Sequence, residues 1–335
     1  MLLTIKRIIP LFLIVFLFHS CNNDLELLGP REEKPVVYGA LNKSDSIIYI
    51  RLEKIFADEN TAPVTLAQDP ANLYYDNAKV TLSTEGWSGE LNRVDAASLG
   101  FPRQSGPFAD VPNYIYYIPT SEVLLNPGKE YTLNIEVNNK TFSAKTVLID
   151  GIILYAPDPT KPFTIIPKVS GKLPTLELDP VSKNPNAAPR VISVFLTLNY
   201  SEKSNETGGK YVTKEIEVGL VKDAPINGLS LDYDPQIFYA ALQDKMTTGA
   251  DITRIANNMK LKFITGGKEY IQYNQSVGAN SGITSTADFP VYSNIEGGIG
   301  IFTSKNVQTF NNIGLSKPTL DSIALSRFTK NLGFK

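Results

Sequence analysis

The sequence predicts a mainly β protein: an N-terminal immunoglobulin-like antiparallel β-sandwich, then a second β-rich domain carrying one or two short helices. Apolar residues recur at every second position in segment after segment, the period of a half-buried strand. The chain carries 23 glycines and 22 prolines, which break it into short pieces. One stretch has clear helical spacing.

The first 34 residues stand apart from that pattern. Lys6 and Arg7 form a positive n-region, Ile8–Phe18 an apolar run, and Ser20 precedes Cys21, the only cysteine. This is the order of a secretory signal peptide, with an apolar run too short for an ordinary membrane-spanning helix. A cysteine at the cleavage point reads as a bacterial lipoprotein site, so residues 1–20 are expected to be removed and Cys21 to be lipidated. Residues 21–34 are mostly polar and broken by Gly29-Pro30, which suits a flexible tether.

Residues 35–149 read as the sandwich. In Ile47–Glu53, Ile48, Ile50 and Leu52 share one face while Tyr49, Arg51 and Glu53 share the other. Ala78–Ser83 alternates likewise, and Tyr131–Val137 is the cleanest strand. Asn138-Asn139 then offers a two-residue turn into Lys140–Val147, because asparagine tolerates positive φ. Leu125–Tyr131 resembles the corner of immunoglobulin-like sandwiches, where a tyrosine hydroxyl bonds back to the chain a few residues upstream.

Eight prolines lie between Pro157 and Pro189. Proline cannot donate to a sheet ladder, so only short edge strands are expected there, for example around Leu176-Glu177-Leu178. A domain boundary is placed near Asp150-Gly151, and residues 150–335 form the second domain. Ile192–Tyr200 and Tyr211–Leu220 predict a long hairpin. Leu261–Thr265, Gly266-Gly267 and Lys268–Tyr273 predict another. Pro235, Ile237, Phe238, Ala241, Leu242 and Met246 predict a helix near 235–247, and Ala250–Met259 is a candidate for a second.

Composition excludes more than it assigns. Without residues 1–20 the chain has no histidine and balances 30 Lys+Arg against 34 Asp+Glu. Histidine is the commonest general base and metal ligand near neutral pH. Ser-His-Asp and Cys-His catalysis, histidine-ligated zinc and thiolate metal sites are therefore excluded. Carboxylate chemistry, Ser–Lys nucleophiles and carboxylate calcium sites survive. The acidic balance, with no basic cluster interleaved with aromatics, argues against nucleic acid.

The local candidates are weak. Gly297-Gly298-Ile299-Gly300 fits neither phosphate-binding template, and its glycines are better explained by close strand packing. Asp232 and Asp234 alternate as a calcium loop begins, but nothing completes the loop, and Asp234 before Pro235 suits a helix N-cap. Asp58, Glu59 and Asp69 form a loose acidic stretch. Ser201-Glu202-Lys203-Ser204 is read as solvated charge in a hairpin loop. Tyr74-Tyr75 and Tyr114–Tyr117 are either strand residues or a stacking surface for a sugar or partner.

Several segments together resemble a known family. They are the lipoprotein leader, Pro35–Leu41, Asp45–Ile50, Leu66–Pro70 and, most specifically, Asn294-Ile295-Glu296-Gly297-Gly298-Ile299-Gly300-Ile301-Phe302 within Val291–Phe302. The chain is similar over nearly its whole length to a group of Bacteroidota outer-membrane lipoproteins catalogued only as a domain of unknown function. The resemblance implies a place at the outer membrane, beside a TonB-dependent receptor, and carries over no catalytic residue. The expectation is thus a non-catalytic, lipid-anchored binding or accessory protein with no cofactor, whose ligand is a glycan or a peptide. A carboxylate-dependent glycan hydrolase and a structural or adhesive surface protein are the alternatives.

Overall fold

The computed structural model describes residues 34–55, 61–167, 171–226, 230–281 and 292–335. The leader, Cys21, Asp58, Glu59 and Val291 lie outside these. Lys34–Lys335 forms one compact unit.

Seven strands build the N-terminal sandwich: β1 (Pro35–Leu41), β2 (Ile47–Lys54), β3 (Ala78–Thr84), β4 (Trp87–Asp95), β5 (Tyr114–Pro119), β6 (Glu130–Val137) and β7 (Lys140–Val147). They pair in the order β1-β2-β5-β4 and β3-β6-β7, the A-B-E-D and C-F-G sheets of an immunoglobulin-type sandwich. Strand β4 joins the two layers, pairing with β3 through Trp87–Leu91 and with β5 through Asn92–Asp95. The inward residues are those that the alternation selects, among them Ile48, Ile50, Leu52, Val80, Leu82, Leu133 and Ile135.

The turn chemistry also holds. Asn138 and Asn139 have φ of 51° and 59°, as a two-residue hairpin turn requires. Tyr131 is fully buried, donates to the Leu124 carbonyl at 2.5 Å and accepts from the Asn126 N–H at 2.8 Å. The tyrosine corner expected from Leu125–Tyr131 is present.

The second half is organised around four long strands: β10 (Val191–Lys203), β11 (Val212–Pro225), β13 (Thr253–Gly266) and β15 (Ile299–Ile313). Their inner face, with Val194, Leu196, Leu198, Leu261 and Phe263, packs with two helices and a small sheet. The helices are α3 (Pro235–Lys245) and α5 (Lys317–Leu325); α1 (Pro63–Ala67) and α2 (Pro70–Leu73) lie in the sandwich half. The small sheet has the order β12-β9-β8, from β8 (Ile152–Ala156), β9 (Thr175–Pro180) and β12 (Ser230–Asp232). Among the described residues of the proline-rich stretch, β9 lies in the three-stranded sheet and Phe163 makes an isolated bridge with Leu315. Asp234 caps α3, accepting from the Gln236 N–H at 2.9 Å.

Two sequence expectations are corrected. Ala250–Met259 is not a helix but runs into β13. Asn257 is an extra residue opposite the Asn199/Tyr200 step, so burial falls on Arg254 before it and on Met259, Leu261 and Phe263 after it. That β-bulge reverses the parity and hides the strand from a period-two reading. Lys268–Tyr273 is not a return strand but begins α4 (Lys268–Ser281). Gly266 and Gly267 do not adopt positive φ, so they cannot form the tight turn a two-residue hairpin needs.

Around Asp150-Gly151 the chain passes from the hydrophobic core that holds Leu148 to the one that holds Ile152. Main-chain pairing nevertheless links the halves. Strand β15 lies parallel to β1, Val36 opposite Ile299 through Leu41 opposite Ser304. The short β14 (Ile295–Glu296) pairs with Ala144 and Ser143 of β7. The glycine-rich motif thus crosses from the edge of one layer to the edge of the other. Asn294 holds the crossing, donating to the Lys145 and Phe302 carbonyls at 3.0 and 2.7 Å and accepting from the Phe302 N–H at 2.9 Å. Gly300 has φ of 116°, and a Cβ there would lie 1.9 Å from the Val37 carbonyl oxygen. Close backbone approach accounts for this glycine, and sheet edges that would otherwise be open are covered.

Candidate functional site

The outward face of β1, β2 and the adjoining β15 is bordered on one side by α4 and on the other by the loop from Phe101 to Phe108, leaving a groove. Its first cavity, about 390 Å³, is lined by Tyr38, Tyr49, Tyr270, Tyr273, Ile301 and Thr303 among others. A second, about 710 Å³, shares Tyr49 and Lys305 with the first and adds Ser44, Asp45, Arg51, Phe101, Arg103 and Asn113. A third, about 650 Å³, continues past Tyr38, Arg51 and Arg103 toward Phe108.

Strand parity puts these groups there. Because Val37, Ile48, Ile50 and Leu52 point into the sandwich, Tyr38, Tyr49, Arg51 and Glu53 point out. Arg51 stands directly opposite Tyr38 in the β1–β2 ladder. From α4, Tyr270 and Tyr273 are three residues apart and so share a helix face. The buried Glu269 in the first turn accepts from the Thr146 hydroxyl at 3.1 Å and ties the start of α4 to β7. The rings of Tyr38 and Tyr273 meet edge to face, with centroids 6.5 Å apart. Burial, reinforced by the neighbouring Tyr273 hydroxyl, pushes the Tyr38 hydroxyl up to about 12, so the Tyr38 phenol stays neutral at physiological pH.

The cationic half is organised around Glu53. Its Oε1 accepts from Arg51 Nη1 at 3.2 Å and, in a shorter contact, from Arg103. Asn113 accepts from Arg51 at 2.8 Å and from Arg103 at 3.4 Å, and its amide donates to the Phe101 carbonyl at 3.2 Å. Arg103 also donates to the Tyr74 hydroxyl at 3.3 Å. These bonds fix the 101–113 loop over β2. Lys305, from β15, faces Asp45 at 3.7 Å.

The residues singled out in the sequence mostly serve the fold. Asp69 caps α2 through the Ala71 N–H, and Asp232 accepts from Thr175. Gly297–Gly300 form the crossing between sheets. Tyr74, Tyr75 and Tyr116 are buried, while Tyr114 and Tyr117 are half-buried, with the Tyr114 ring under the Arg93 guanidinium at 3.9 Å. Glu202 is corrected outright: it is not solvated in a loop but buried in β10, bonded to Arg254 Nε at 2.8 Å and Lys214 at 2.5 Å. The groove tyrosines were missed, although the outward parity of Tyr49 and Arg51 was legible. Among the described residues no group of three or more potential metal ligands comes together.

A scan against protein-family models and a search of curated proteins found no match to this chain.

Proposed function

We propose that this protein is a non-catalytic binding component of the bacterial outer membrane, held there by an acylated Cys21 and working beside a TonB-dependent receptor. The observation that carries the reading is the groove: an open, aromatic-walled channel with cations along one side, its innermost carboxylate engaged by two arginines. Pockets of this size with apolar walls and few convergent polar groups are the usual form of a ligand site. A described body without histidine or cysteine supports binding over acid–base or nucleophilic turnover. The leader and the resemblance to Bacteroidota lipoproteins support the location.

Anchoring through acyl chains is strong, since each buried methylene contributes about 0.8 kcal/mol. Cys21→Ala is therefore expected to move the protein from the outer-membrane pellet to the soluble fraction in high salt. Continued sedimentation would remove the anchor from the proposal. Affinity capture of the wild-type protein from gently solubilised outer membranes is expected to recover a TonB-dependent receptor in stoichiometric amount, and recovery of the lipoprotein alone would end the accessory role.

A further inference from the structure

We infer that the groove takes the carboxyl terminus of a peptide ending in an aromatic or large aliphatic residue. The inference rests on the binding reading above and names its ligand. Four tyrosines and Ile301 make the first cavity apolar, and its volume of about 390 Å³ is ample for one large side chain. A sugar ring there would need partners for several hydroxyls. Apart from the phenols, of which the Tyr38 and Tyr273 rings pack edge to face, this cavity offers the Thr303 hydroxyl, the Thr265 side chain and Lys305. The Thr303 hydroxyl is buried and has no hydrogen-bond partner in the structure.

Beside that apolar wall stands a receptor for one negative charge. Arg51 is the direct cross-strand neighbour of Tyr38, so their Cβ atoms are about 5 Å apart. That is the separation at which one residue reaches both, its side chain among the tyrosines and its carboxylate on the guanidinium. The hydrogen bonds of Arg51 to Glu53 and Asn113 both leave from Nη1. Nη2 and Nε make none with the described residues and are free for the two-point grip that arginine makes on a carboxylate. Lys305, bordering both cavities, adds a second positive charge.

The charge balance suits a small anion. Arg51, Lys54, Arg103 and Lys305 line the groove with Asp45 and Glu53, a local excess of two positive charges, and Lys54 donates to the Ala71 carbonyl at 3.1 Å beside the Tyr75 ring. The chain from Cys21 onward is net negative, so a polyuronate would be repelled beyond this spot. Upstream peptide groups would find Ser44, Ser46, Gln104 and Asn113 in the second cavity.

The test is titration calorimetry on the full-length protein in detergent. Three probes are compared: a hexapeptide ending in phenylalanine with a free carboxylate, the same peptide amidated, and an oligogalacturonate. The free acid should bind, and amidation or Arg51→Ala should each weaken it about tenfold or more, the scale of one lost charge-assisted pair. Tyr49→Ala should weaken acid and amide alike. Tyr49 is 44% exposed, so this variant should keep its melting temperature, which is measured alongside. Equal binding of acid and amide overturns the carboxylate receptor. Binding of the oligosaccharide alone, lost in Tyr49→Ala, overturns the ligand class but leaves the binding reading standing. No binding of any probe overturns the ligand class, and receptor capture then judges the function separately.

Discussion

Each half of the molecule contains an arginine–glutamate cluster, and the two are finished differently. In the second half, Arg254 is 1% exposed and Glu202 3%. Arg254 donates to Glu202, to the Thr247 and Leu332 carbonyls at 2.9 and 2.5 Å, and lies 5.9 Å from the Tyr200 ring. Lys214 closes the other carboxylate oxygen. Every direction is used, and the cluster fastens the chain end at Leu332 to β10 and β13. In the sandwich half, Arg51 and Arg103 share one carboxylate oxygen of Glu53, while Nε and Nη2 of Arg51, beside a cavity, have no hydrogen-bond partner among the described residues. A fully satisfied ion pair is architecture; one left incomplete next to open space is available for recognition.

The sharpest way to break this contrast is Arg254→Ala. It leaves Glu202 buried with Lys214 alone and removes two carbonyl partners. Such losses cost about 3–5 kcal/mol, and urea unfolding should show that range. A loss near zero would mean that the cluster is not structural.

Acid provides the next test. Burial pushes the Glu202 carboxyl up, but the hydrogen bonds and charges of Lys214 and Arg254 together outweigh it and hold it below the ordinary glutamate value. A depressed folded-state value stabilises the protein above the unfolded-state value, and that contribution disappears as pH falls through the folded one. The urea midpoint should therefore decline from about pH 4.5 downward, around the ordinary glutamate value. Glu202→Gln should start lower and show a shallower acid limb; an unchanged limb would assign the acid sensitivity to other carboxylates.

Arg51→Ala should have the smallest effect on folding. Its side chain is 26% exposed and Glu53 keeps Arg103, so stability should stay within about 0.5 kcal/mol of wild type. A loss comparable to that of Arg254→Ala would make the two clusters alike.

The sandwich was legible where inward and outward residues alternate, in β2, β3, β6 and β7, and where its turns use residues chosen for φ. Tyr131, Asn138-Asn139 and the Asp234 cap could all be read from neighbouring residues. The second half of β13 was legible as Leu261–Thr265, but its first half was not, because Asn257 inserts one residue and swaps the faces halfway. Helix α4 was not legible because Lys268–Tyr273 is too short to separate the two periods. The groove was legible only in part. Tyr49 and Arg51 could be seen facing outward, but Tyr270, Tyr273, Phe101 and Lys305 come from distant segments that only the tertiary fold assembles.

The glycine-rich crossing sets the order of assembly. Strand β1 completes its parallel edge only when β15 arrives, about 260 residues later in the chain, and Ile295 and Phe302 belong to the same core as Val37 and Leu41. A loop of that length must close before its contacts repay it, which slows folding. A ribosome that has released only the first half has therefore released a sandwich with one edge bare and two core residues missing. The earliest strand waits for nearly the last, and the chain matures as a whole.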